Sequence, residues 1–319
     1  MNECINVLLI EDNPADARLL RELIVETGCK DLHLDHVPRM SSVKEKLNDE
    51  HYHVILLDLS LPDAQGLNTV EQICSLTSTV PIIVLTGLED EDLAIKSVQK
   101  GAQDYLIKGK VNGEDLIRSM RYAIERKRAE AHLHFMATHD PLTHLPNRSL
   151  FLDRLSHAIS LSKRNNLCLA VLFLDLDGFK TVNDTYGHEM GDRLLQAIGE
   201  RFRKHLRACD TVARLSGDEF AFILENIGNE SNAAVVAGKI LKNIAQPFIL
   251  EGQTIHITTS IGISLYPQDG KDAQELLRRA DAAMYKAKQC GKNTYQFSTD
   301  PFYTNSTNPI PASNAAHSI

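Results

Sequence analysis

Short apolar runs alternate with helix-like segments through about the first 125 residues of the chain. Val54–Leu57 and Ile82–Leu85 contain only apolar residues, which is typical of parallel strands that are buried on both faces. Three further runs predict strands at Val7–Glu11, Leu32–Val37 and Gln103–Ile107. Five strand–helix units in this order predict a doubly wound parallel sheet, in which functional residues lie at the carboxyl ends of the strands.

Five polar residues that follow the predicted strands form a candidate phosphate-accepting site. They are Glu11, Asp12, Asp58, Thr86 and Lys108. In a sheet with strand order 2-1-3-4-5, all of them converge above one crevice. Three acids can hold one Mg²⁺ and leave Asp58 as a nucleophile toward a phosphoryl group. Lys108 then neutralises the negative charge of the phosphate oxygens, and the Thr86 hydroxyl donates a hydrogen bond to them.

A charged helix over Glu114–Phe135 is predicted to follow this domain. Ile117, Met120 and Ile124 fit an a/d seam, although Lys127 interrupts the later heptads. We interpret the helix as a connector that either pairs with its copy in a dimer or stands as a solvated single helix.

The rest of the chain predicts an α+β domain and a tail. The expected elements are helix Asn147–Lys163, strand Leu167–Leu174, helix Gly191–His205, hairpin strands Thr211–Leu215 and Phe220–Leu224, helix Ser231–Ile244, strand Thr254–Ser264, helix Asp272–Cys290 and strand Thr294–Phe297. Because residues 301–319 contain no Asp, Glu, Lys or Arg and are rich in small polar residues, we expect a disordered tail. The expected boundaries are 1–122 for the first domain, 123–139 for the connector, 140–298 for the second domain and 299–319 for the tail.

Two acidic clusters about forty residues apart predict a second site. Asp175-Leu176-Asp177 follows an apolar strand, and Ser216-Gly217-Asp218-Glu219-Phe220 occupies the hairpin turn. Crowded carboxylates repel one another unless a cation lies among them, and Mg²⁺ prefers oxygen ligands. Asp175, at the end of a wholly apolar run, has no structural explanation without such a cation. A Mg²⁺ site beside a glycine-containing turn indicates phosphoryl or nucleotidyl chemistry.

The first domain contains three motifs: Leu8-Leu9-Ile10-Glu11-Asp12, Leu57-Asp58-Leu59-Ser60-Leu61-Pro62 and Asp104-Tyr105-Leu106-Ile107-Lys108. With these motifs, residues 5–122 resemble the receiver domain of two-component response regulators. The resemblance implies a flavodoxin-like fold with Asp58 as the phosphoacceptor and Thr86 and Tyr105 as switch residues. It also implies a cognate sensor histidine kinase or phosphotransfer protein as partner. Gly109 stands where many receivers have proline, and glycine can adopt the turn needed there.

The second domain contains a series of separated motifs: Asp140–Arg148, Phe173–Lys180, Asn183-Asp184, Gly187-His188, Gly191-Asp192, Ser216–Phe220, Ala280–Tyr285, Lys288 and Gly291–Asn293. With these motifs in this order, residues 140–297 resemble the GGDEF family of diguanylate cyclases, which implies a nucleotidyl-cyclase-like fold. The resemblance implies condensation of two GTP into cyclic di-GMP and pyrophosphate by an antiparallel homodimer in which each subunit holds one GTP.

The roles carried over from this family fall on matching positions. The metal ligands for Mg²⁺ or Mn²⁺ are Asp175, Asp218 and the carbonyl of Leu176, and Glu219 helps to deprotonate the attacking hydroxyl. Asn183 and Asp192 are expected to contact the guanine of GTP. The phosphates are expected to contact the backbone amides of Phe179 and Lys180 and the side chains of Lys288 and Lys292. We expect the two lysines to lie one helical turn apart on the same face. Arg207 and Asp210 match the family's product-inhibition pattern.

Ser216 is the main departure, because the family signature has glycine at this position. If the backbone there has positive φ, a residue other than glycine costs on the order of 1 kcal/mol. Both acids and Gly217 are retained, so we expect an active enzyme with a lower rate. The alternative is a catalytically silent receptor that binds cyclic di-GMP or GTP.

The composition argues against several other classes of protein. A net charge of −8 and a pI of about 5.9 argue against a nucleic-acid-binding surface. The apolar runs are shorter than the ~20 residues that span a bilayer, and acids interrupt the N-terminal run, so we expect neither a membrane segment nor a signal peptide. Six scattered cysteines without metal-ligand spacing are typical of reduced thiols in a cytoplasmic protein.

Overall fold

The structure is a computed structural model that describes residues 4–29, 31–87, 91–204 and 206–298. The chain divides into two compact units between His134 and Phe135. The tail expected over residues 299–319 lies outside the described residues.

The first unit contains a parallel five-stranded sheet with helices on both faces. Its strands are β1 (Ile5–Ile10), β2 (Leu32–Val37), β3 (Val54–Asp58), β4 (Ile82–Thr86) and β5 (Asp104–Ile107). Its helices are α1 (Pro14–Glu26), α2 (Val43–Asp49), α3 (Leu67–Leu76), α4 (Glu91–Gln99) and α5 (Gly113–Thr138). The strand order β2-β1-β3-β4-β5 confirms the predicted doubly wound sheet, and every neighbouring pair is parallel.

The period of two along β1 places its side chains in two separate cores. Val7 and Leu9 pack with residues of α1 and α5, whereas Leu8 and Ile10 pack with residues of α2 and α3. Because both faces of the sheet are covered, the functional residues of this unit are left to the strand ends and the loops that follow them.

The connector helix does not offer the seam that its sequence predicts. Met120 and Ile124 are buried in the core beside α1, and Ile117 packs against the same cluster. These side chains already face their own sheet, so the interpretation that they form an intermolecular a/d seam is wrong. The helical pattern itself is confirmed, since α5 runs unbroken from Gly113 to Thr138.

The second unit is an α+β fold around a five-stranded sheet. Its strands are β6 (Leu169–Asp177), β7 (Thr211–Ser216), β8 (Glu219–Leu224), β9 (Phe248–Leu250), β10 (Gln253–Ile255), β11 (Thr258–Tyr266) and β12 (Tyr295–Phe297). Its helices are α6 (Arg148–Asn165), α7 (Phe179–Tyr186), α8 (His188–Arg203), α9 (Glu230–Ile244) and α10 (Ala273–Gln289). The sheet order is β12-β11-β6-β8-β7, and β9 and β10 form a separate hairpin.

Four local features of this unit differ from the predictions. Strand β6 continues to Asp177, three residues past the apolar run, because the antiparallel pairing with β11 extends to Thr258 opposite Asp177. Helix α7 was not expected, and α8 begins at His188 rather than at residue 191. The single strand expected over Thr254–Ser264 is two strands, β10 and β11, in different sheets.

The central strand β6 carries packed cores on both faces. Leu172 and Leu174 contact the cluster that includes residues of α8 and α9, while Val171 and Phe173 contact the cluster that includes residues of α6 and α10.

Within the described parts of the chain, no helix is both long enough and apolar enough to cross a membrane.

Helix α10 approaches β11 closely at Gly262. A Cβ atom at Gly262 would overlap the backbone oxygen of Ala280 and the backbone nitrogen of Met284, atoms that cannot rotate away. We therefore expect Gly262→Ala to lower the free energy of unfolding by about 3 kcal/mol, as overpacking of a rigid core does. Denaturant unfolding followed by circular dichroism measures this change.

Gly238→Ala is the matched control. Gly238 lies inside α9, where an added Cβ meets nothing within 4 Å. Alanine there should raise the free energy of unfolding by about 0.5–1 kcal/mol, because it restricts the unfolded chain. Equal stability of the two variants would contradict the close approach.

Candidate active sites

The carboxylates of the second unit meet where β6 and the β7–β8 hairpin come together. Asp175 of β6 is paired in register with Glu219 of β8. The backbone N–H of Leu176 donates to the carbonyl of Asp218 over 3.3 Å, which brings the hairpin turn beside β6. The register of β8 against β7 shifts between Glu219 and Phe220, and such irregularities re-aim side chains at strand ends.

Asp175 is a half-buried carboxylate in a crowded acidic environment. Its side chain is 14% exposed, and its Oδ2 lies 2.7 Å from Nζ of Lys288. Burial raises the pKa of Asp175, and repulsion by Asp218 and Glu219 adds to this rise, although Lys288 opposes it. One lysine therefore does not neutralise the cluster. Oxygen donors with surplus negative charge fit a hard divalent cation.

The hairpin turn corrects the expectation about Ser216. Gly217 has a φ of +46°, whereas Ser216 is the last residue of β7 and is absent from the described residues with positive φ. The strain expected from serine at this position is therefore not present. The Ser216 hydroxyl instead donates a hydrogen bond to the carboxylate of Glu219.

Asp177 has different partners from Asp175, although both face the same side of β6. Its carboxylate accepts hydrogen bonds from the hydroxyls of Thr258 and Ser260 and from the backbone N–H of Asn293. Three donors occupy most of its acceptor positions. Of the two aspartates in the Asp-Leu-Asp motif, Asp175 is thus the one that remains accessible to a cation.

The two lysines expected to bind phosphates do not share a helical face. Lys288 lies in the last turn of α10, but the helix ends at Gln289. Lys292 follows in a segment with a φ of +63°, so the prediction that the two lysines lie one helical turn apart is wrong. Their roles toward phosphate remain predictions.

The residues expected to recognise guanine lie on α7 and α8. The Oδ1 atom of Asn183 is buried, and no hydrogen-bond partner for it is found among the described residues. A Cβ at Gly191 would overlap this atom, so the glycine keeps space for it. An orphaned buried acceptor beside such a space fits a ligand with N–H groups. Asp192 is exposed next to Gly191.

The amides of Phe179 and Lys180 belong to the first turn of α7. N–H groups in a first turn have no partner within their own helix. The carbonyl of Gly178, just before the helix, accepts from Thr181 and Val182 instead. These amides can therefore donate hydrogen bonds to a phosphate oxygen, as their predicted role requires.

Arg207 and Asp210 form a turn just before β7. Asp210 accepts hydrogen bonds from the backbone N–H groups of Arg207 and Glu225. The Arg207 side chain is exposed, and within the described residues it has no ion-pair partner. The alternative that the pattern is only a surface salt bridge does not match these contacts.

Sequence reasoning missed the role of Arg214. Its guanidinium forms two hydrogen bonds with Asp140, of 2.9 and 3.1 Å, and another of 2.9 Å with the carbonyl of Gly217. Burial alone would raise the pKa of Asp140, but hydrogen bonds from Thr143 and Arg214 outweigh it and lower the pKa. Arg214 thus ties the opening turn of the unit to the acidic hairpin. The signal was an arginine two residues before Ser216.

The strand ends of the first unit bring the predicted acids together. Oxygen atoms of Glu11, Asp12 and Asp58 all lie within 4.8 Å of one another, the geometry that a single cation requires. Lys108 Nζ lies 2.6 Å from Glu11 and 3.2 Å from Asp58. Burial raises the pKa of Glu11, and repulsion by Asp58 contributes to the rise despite the Lys108 hydrogen bond.

Lys108 remains charged at this site. Burial alone would lower its pKa, but the contacts with Glu11, Asp58 and Asp16 outweigh burial and raise the pKa to about 12. The hydroxyl of Thr86 is buried, and no hydrogen-bond partner for it is found within the described ranges. Tyr105 is half-buried against the neighbouring core. The switch roles of Thr86 and Tyr105 remain predictions.

Comparison with known proteins identifies both units. The family profile described as "Diguanylate cyclase, GGDEF domain" matches residues 137–294, and that of the response regulator receiver domain matches residues 7–121. The bifunctional diguanylate cyclase/cyclic di-GMP phosphodiesterase MucR of Pseudomonas aeruginosa is 51% identical over 170 residues, which are 53% of this chain and 25% of that protein. The diguanylate cyclase TpbB of the same species is 44% identical over 160 residues, covering 50% of this chain and 37% of TpbB.

Solved structures match the second unit. The GGDEF domain of TpbB is 41% identical, with 50% of this chain and 94% of that one covered and a TM-score of 0.50. The coiled coil and GGDEF domain of DgcB from Caulobacter crescentus, in complex with c-di-GMP, is 26% identical, with 58% and 98% covered and a TM-score of 0.51.

These relatives limit what can be transferred to the whole chain, because the matched region is 25% of MucR and 37% of TpbB. Over the isolated GGDEF domain, however, both identity and coverage are high. The chain therefore belongs to the GGDEF diguanylate cyclase family and carries a response regulator receiver domain on the N-terminal side of its GGDEF domain.

Proposed function

We propose that the GGDEF domain condenses two GTP molecules into cyclic di-GMP, with release of two pyrophosphates. Each ribose 3′-hydroxyl loses its proton, its oxygen bonds to the α-phosphorus of the other GTP, and the bond from that phosphorus to pyrophosphate breaks. The observation that carries this proposal is the convergence of Asp175, Asp218 and Glu219 where β6 meets the hairpin. The similarity to TpbB, a diguanylate cyclase, supports it.

The carboxylates have two different roles in the proposed reaction, cation binding and proton acceptance. Asp175, Asp218 and the Leu176 carbonyl would hold Mg²⁺ or Mn²⁺, which when bound supplies positive charge to the phosphate oxygens. Glu219 accepts the proton of the attacking hydroxyl. The Ser216 hydroxyl contacts this carboxylate without straining the turn, which removes the main reason to expect a silent receptor.

Recognition of GTP uses both ends of the nucleotide. Asn183 and Asp192 accept from the N–H groups on the Watson–Crick edge of guanine, and the orphaned Oδ1 of Asn183 supports this role. Lys288 and Lys292 bind the terminal phosphates together with the amides of Phe179 and Lys180. Because each GGDEF domain holds one GTP, the reaction requires two copies of the chain.

The receiver domain regulates this reaction in our proposal. A sensor histidine kinase or phosphotransfer protein would phosphorylate Asp58, and a cation on Glu11, Asp12 and Asp58 would offset the charge of the phosphoryl group. The buried hydroxyl of Thr86 would then donate to the phosphoryl group. Phosphorylation would favour dimers that bring two GTP sites face to face.

The turn at Arg207 and Asp210 is proposed to bind the product as a feedback site. An exposed arginine can contact phosphate or the Hoogsteen edge of guanine. Asp210 is held by two backbone N–H groups in this turn and retains acceptor positions for guanine N–H groups. The complex of DgcB with c-di-GMP supports product binding by this family fold.

A nucleotide assay tests the catalytic proposal directly. Purified protein with Mg²⁺ and GTP should form cyclic di-GMP, and Glu219→Gln should lower kcat by about 10²–10⁴-fold, because a general base is removed. GTP binding by this variant should persist. Glu200→Gln, an exposed change on α8, should match the parent protein. Absence of product with and without a phosphoryl mimic would refute the function.

Phosphorylation control is tested at Asp58. Beryllofluoride or acetyl phosphate should change cyclic di-GMP synthesis by the parent protein, and Asp58→Asn should abolish that response because the amide is not a phosphoacceptor. The control is Asp49→Asn, an exposed residue at the end of α2. An Asp58→Asn protein that still responds would show that another residue accepts the phosphoryl group.

Feedback is tested at Arg207. Arg207→Ala should raise the inhibition constant for cyclic di-GMP by about tenfold or more, since one charge-assisted contact contributes roughly 1.5–3 kcal/mol. Initial-rate assays at several product concentrations measure this constant. Arg164→Ala, at the exposed end of α6, should leave the curve unchanged. Identical curves for all three proteins would make the turn purely structural.

A further inference from the structure

Asp177 connects three separate segments of the GGDEF domain. Its Oδ1 accepts from Ser260 over 2.7 Å, and its Oδ2 accepts from Thr258 over 2.8 Å and from the backbone N–H of Asn293 over 3.1 Å. The first two donors belong to β11, which is paired with β6 in register, whereas Asn293 lies in the loop after α10. The carboxylate thus fastens a loop to the sheet as well as one strand to another.

The loop that Asp177 holds has an unusual backbone. Gly291, Lys292 and Asn293 have φ angles of +106°, +63° and +47°, so three consecutive residues have positive φ. Residues other than glycine seldom adopt this region, and such a segment persists only where its surroundings hold it. Its other anchors are the bonds from Lys292 N to Ala287 O and from Ile261 N to Thr294 O.

The position of Lys292 follows from this anchoring. Lys292 lies beyond the end of α10, and its own N–H donates to the Ala287 carbonyl in the last turn of that helix. The residue that follows it, Asn293, is fixed through its N–H to the carboxylate of Asp177. A lysine on a loop without such a contact would distribute its ammonium group over a larger volume and bind phosphate more weakly.

We infer that Asp177 is a positioning residue that places Lys292 at the terminal phosphates of GTP. The inference rests on the proposed function, because it takes the nucleotide to be GTP and Lys292 to be a phosphate ligand. Asp177 acts through the backbone of Asn293 and does not touch the nucleotide. The two acids of the Asp-Leu-Asp motif then act on different ligands, Asp175 on the cation and Asp177 on the phosphate-binding loop.

Selectivity between nucleotides distinguishes positioning from general support of the fold. We propose to measure, in the presence of Mg²⁺, the binding of 3′-deoxy-GTP, which lacks the attacking hydroxyl, and of guanosine monophosphate, which lacks the terminal phosphates. Asp177→Ala in the full chain should weaken 3′-deoxy-GTP binding by about tenfold and change monophosphate binding by less than about twofold. Lys292→Ala should give the same pattern.

The double variant and two further variants sharpen the assignment. The double variant Asp177→Ala/Lys292→Ala should bind 3′-deoxy-GTP no more weakly than Lys292→Ala alone. The reason is that each substitution removes the same contact, that of Lys292 with the terminal phosphates. Asp177→Asn should restore most of the affinity, since its amide oxygen still accepts from Asn293. Ser260→Ala is the matched control: it removes one bond between Asp177 and β11 and should leave the ratio of the two affinities unchanged.

Equal weakening of both nucleotides by Asp177→Ala would overturn the inference, and so would additive losses in the double variant. If circular dichroism shows that Asp177→Ala is unfolded, Asp177→Ser replaces it, because a serine hydroxyl keeps a polar group on β6 but lacks the carboxylate oxygen that accepts from Asn293. The same outcomes then apply. Because the assay measures binding alone, a protein that binds 3′-deoxy-GTP selectively but makes no product would refute the proposed function and leave the inference intact.

Discussion

The GGDEF domain is organised around a carboxylate in the middle of its sheet that its own fold does not neutralise. Asp175 lies on the central strand β6, with Glu219 opposite it and Asp218 in the adjoining turn. Lys288 is within 2.7 Å, yet burial and the two neighbouring acids still raise the pKa of Asp175. Such a cluster costs stability unless positive charge arrives from outside the chain. Much of the surrounding structure keeps these groups together.

The supporting contacts are numerous and come from distant parts of the chain. Arg214 links the acidic turn to Asp140 at the start of the domain, and Asp177 links β6 to β11 and to the loop after α10. Arg214 makes three hydrogen bonds in these contacts, and Asp177 accepts three. Arg214, Asp140 and Asp177 therefore stabilise the fold, whereas other charged residues of the domain remain accessible to ligands.

The receiver domain has a similar arrangement, in which several acids and one lysine lie at the ends of its strands. Glu11, Asp12 and Asp58 crowd at one edge of a sheet that is buried on both faces, and Lys108 lies against two of them. In both domains a single lysine partly offsets a group of acids. A sheet of apolar strands provides the low-dielectric surroundings that make such crowding strong.

Most of the strands and helices, and the acids at their ends, could be predicted from the linear sequence. Apolar strands that end in carboxylates established the 2-1-3-4-5 sheet and the hairpin, because burial leaves a direct pattern along each strand. The contacts that these residues make became visible only in the folded chain. It placed Met120 and Ile124 in the receiver core, Lys292 beyond α10, and Asp177 in contact with Asn293, 116 residues away. Patterns along one element report burial, whereas hydrogen-bond partners and φ angles depend on segments far apart in the chain.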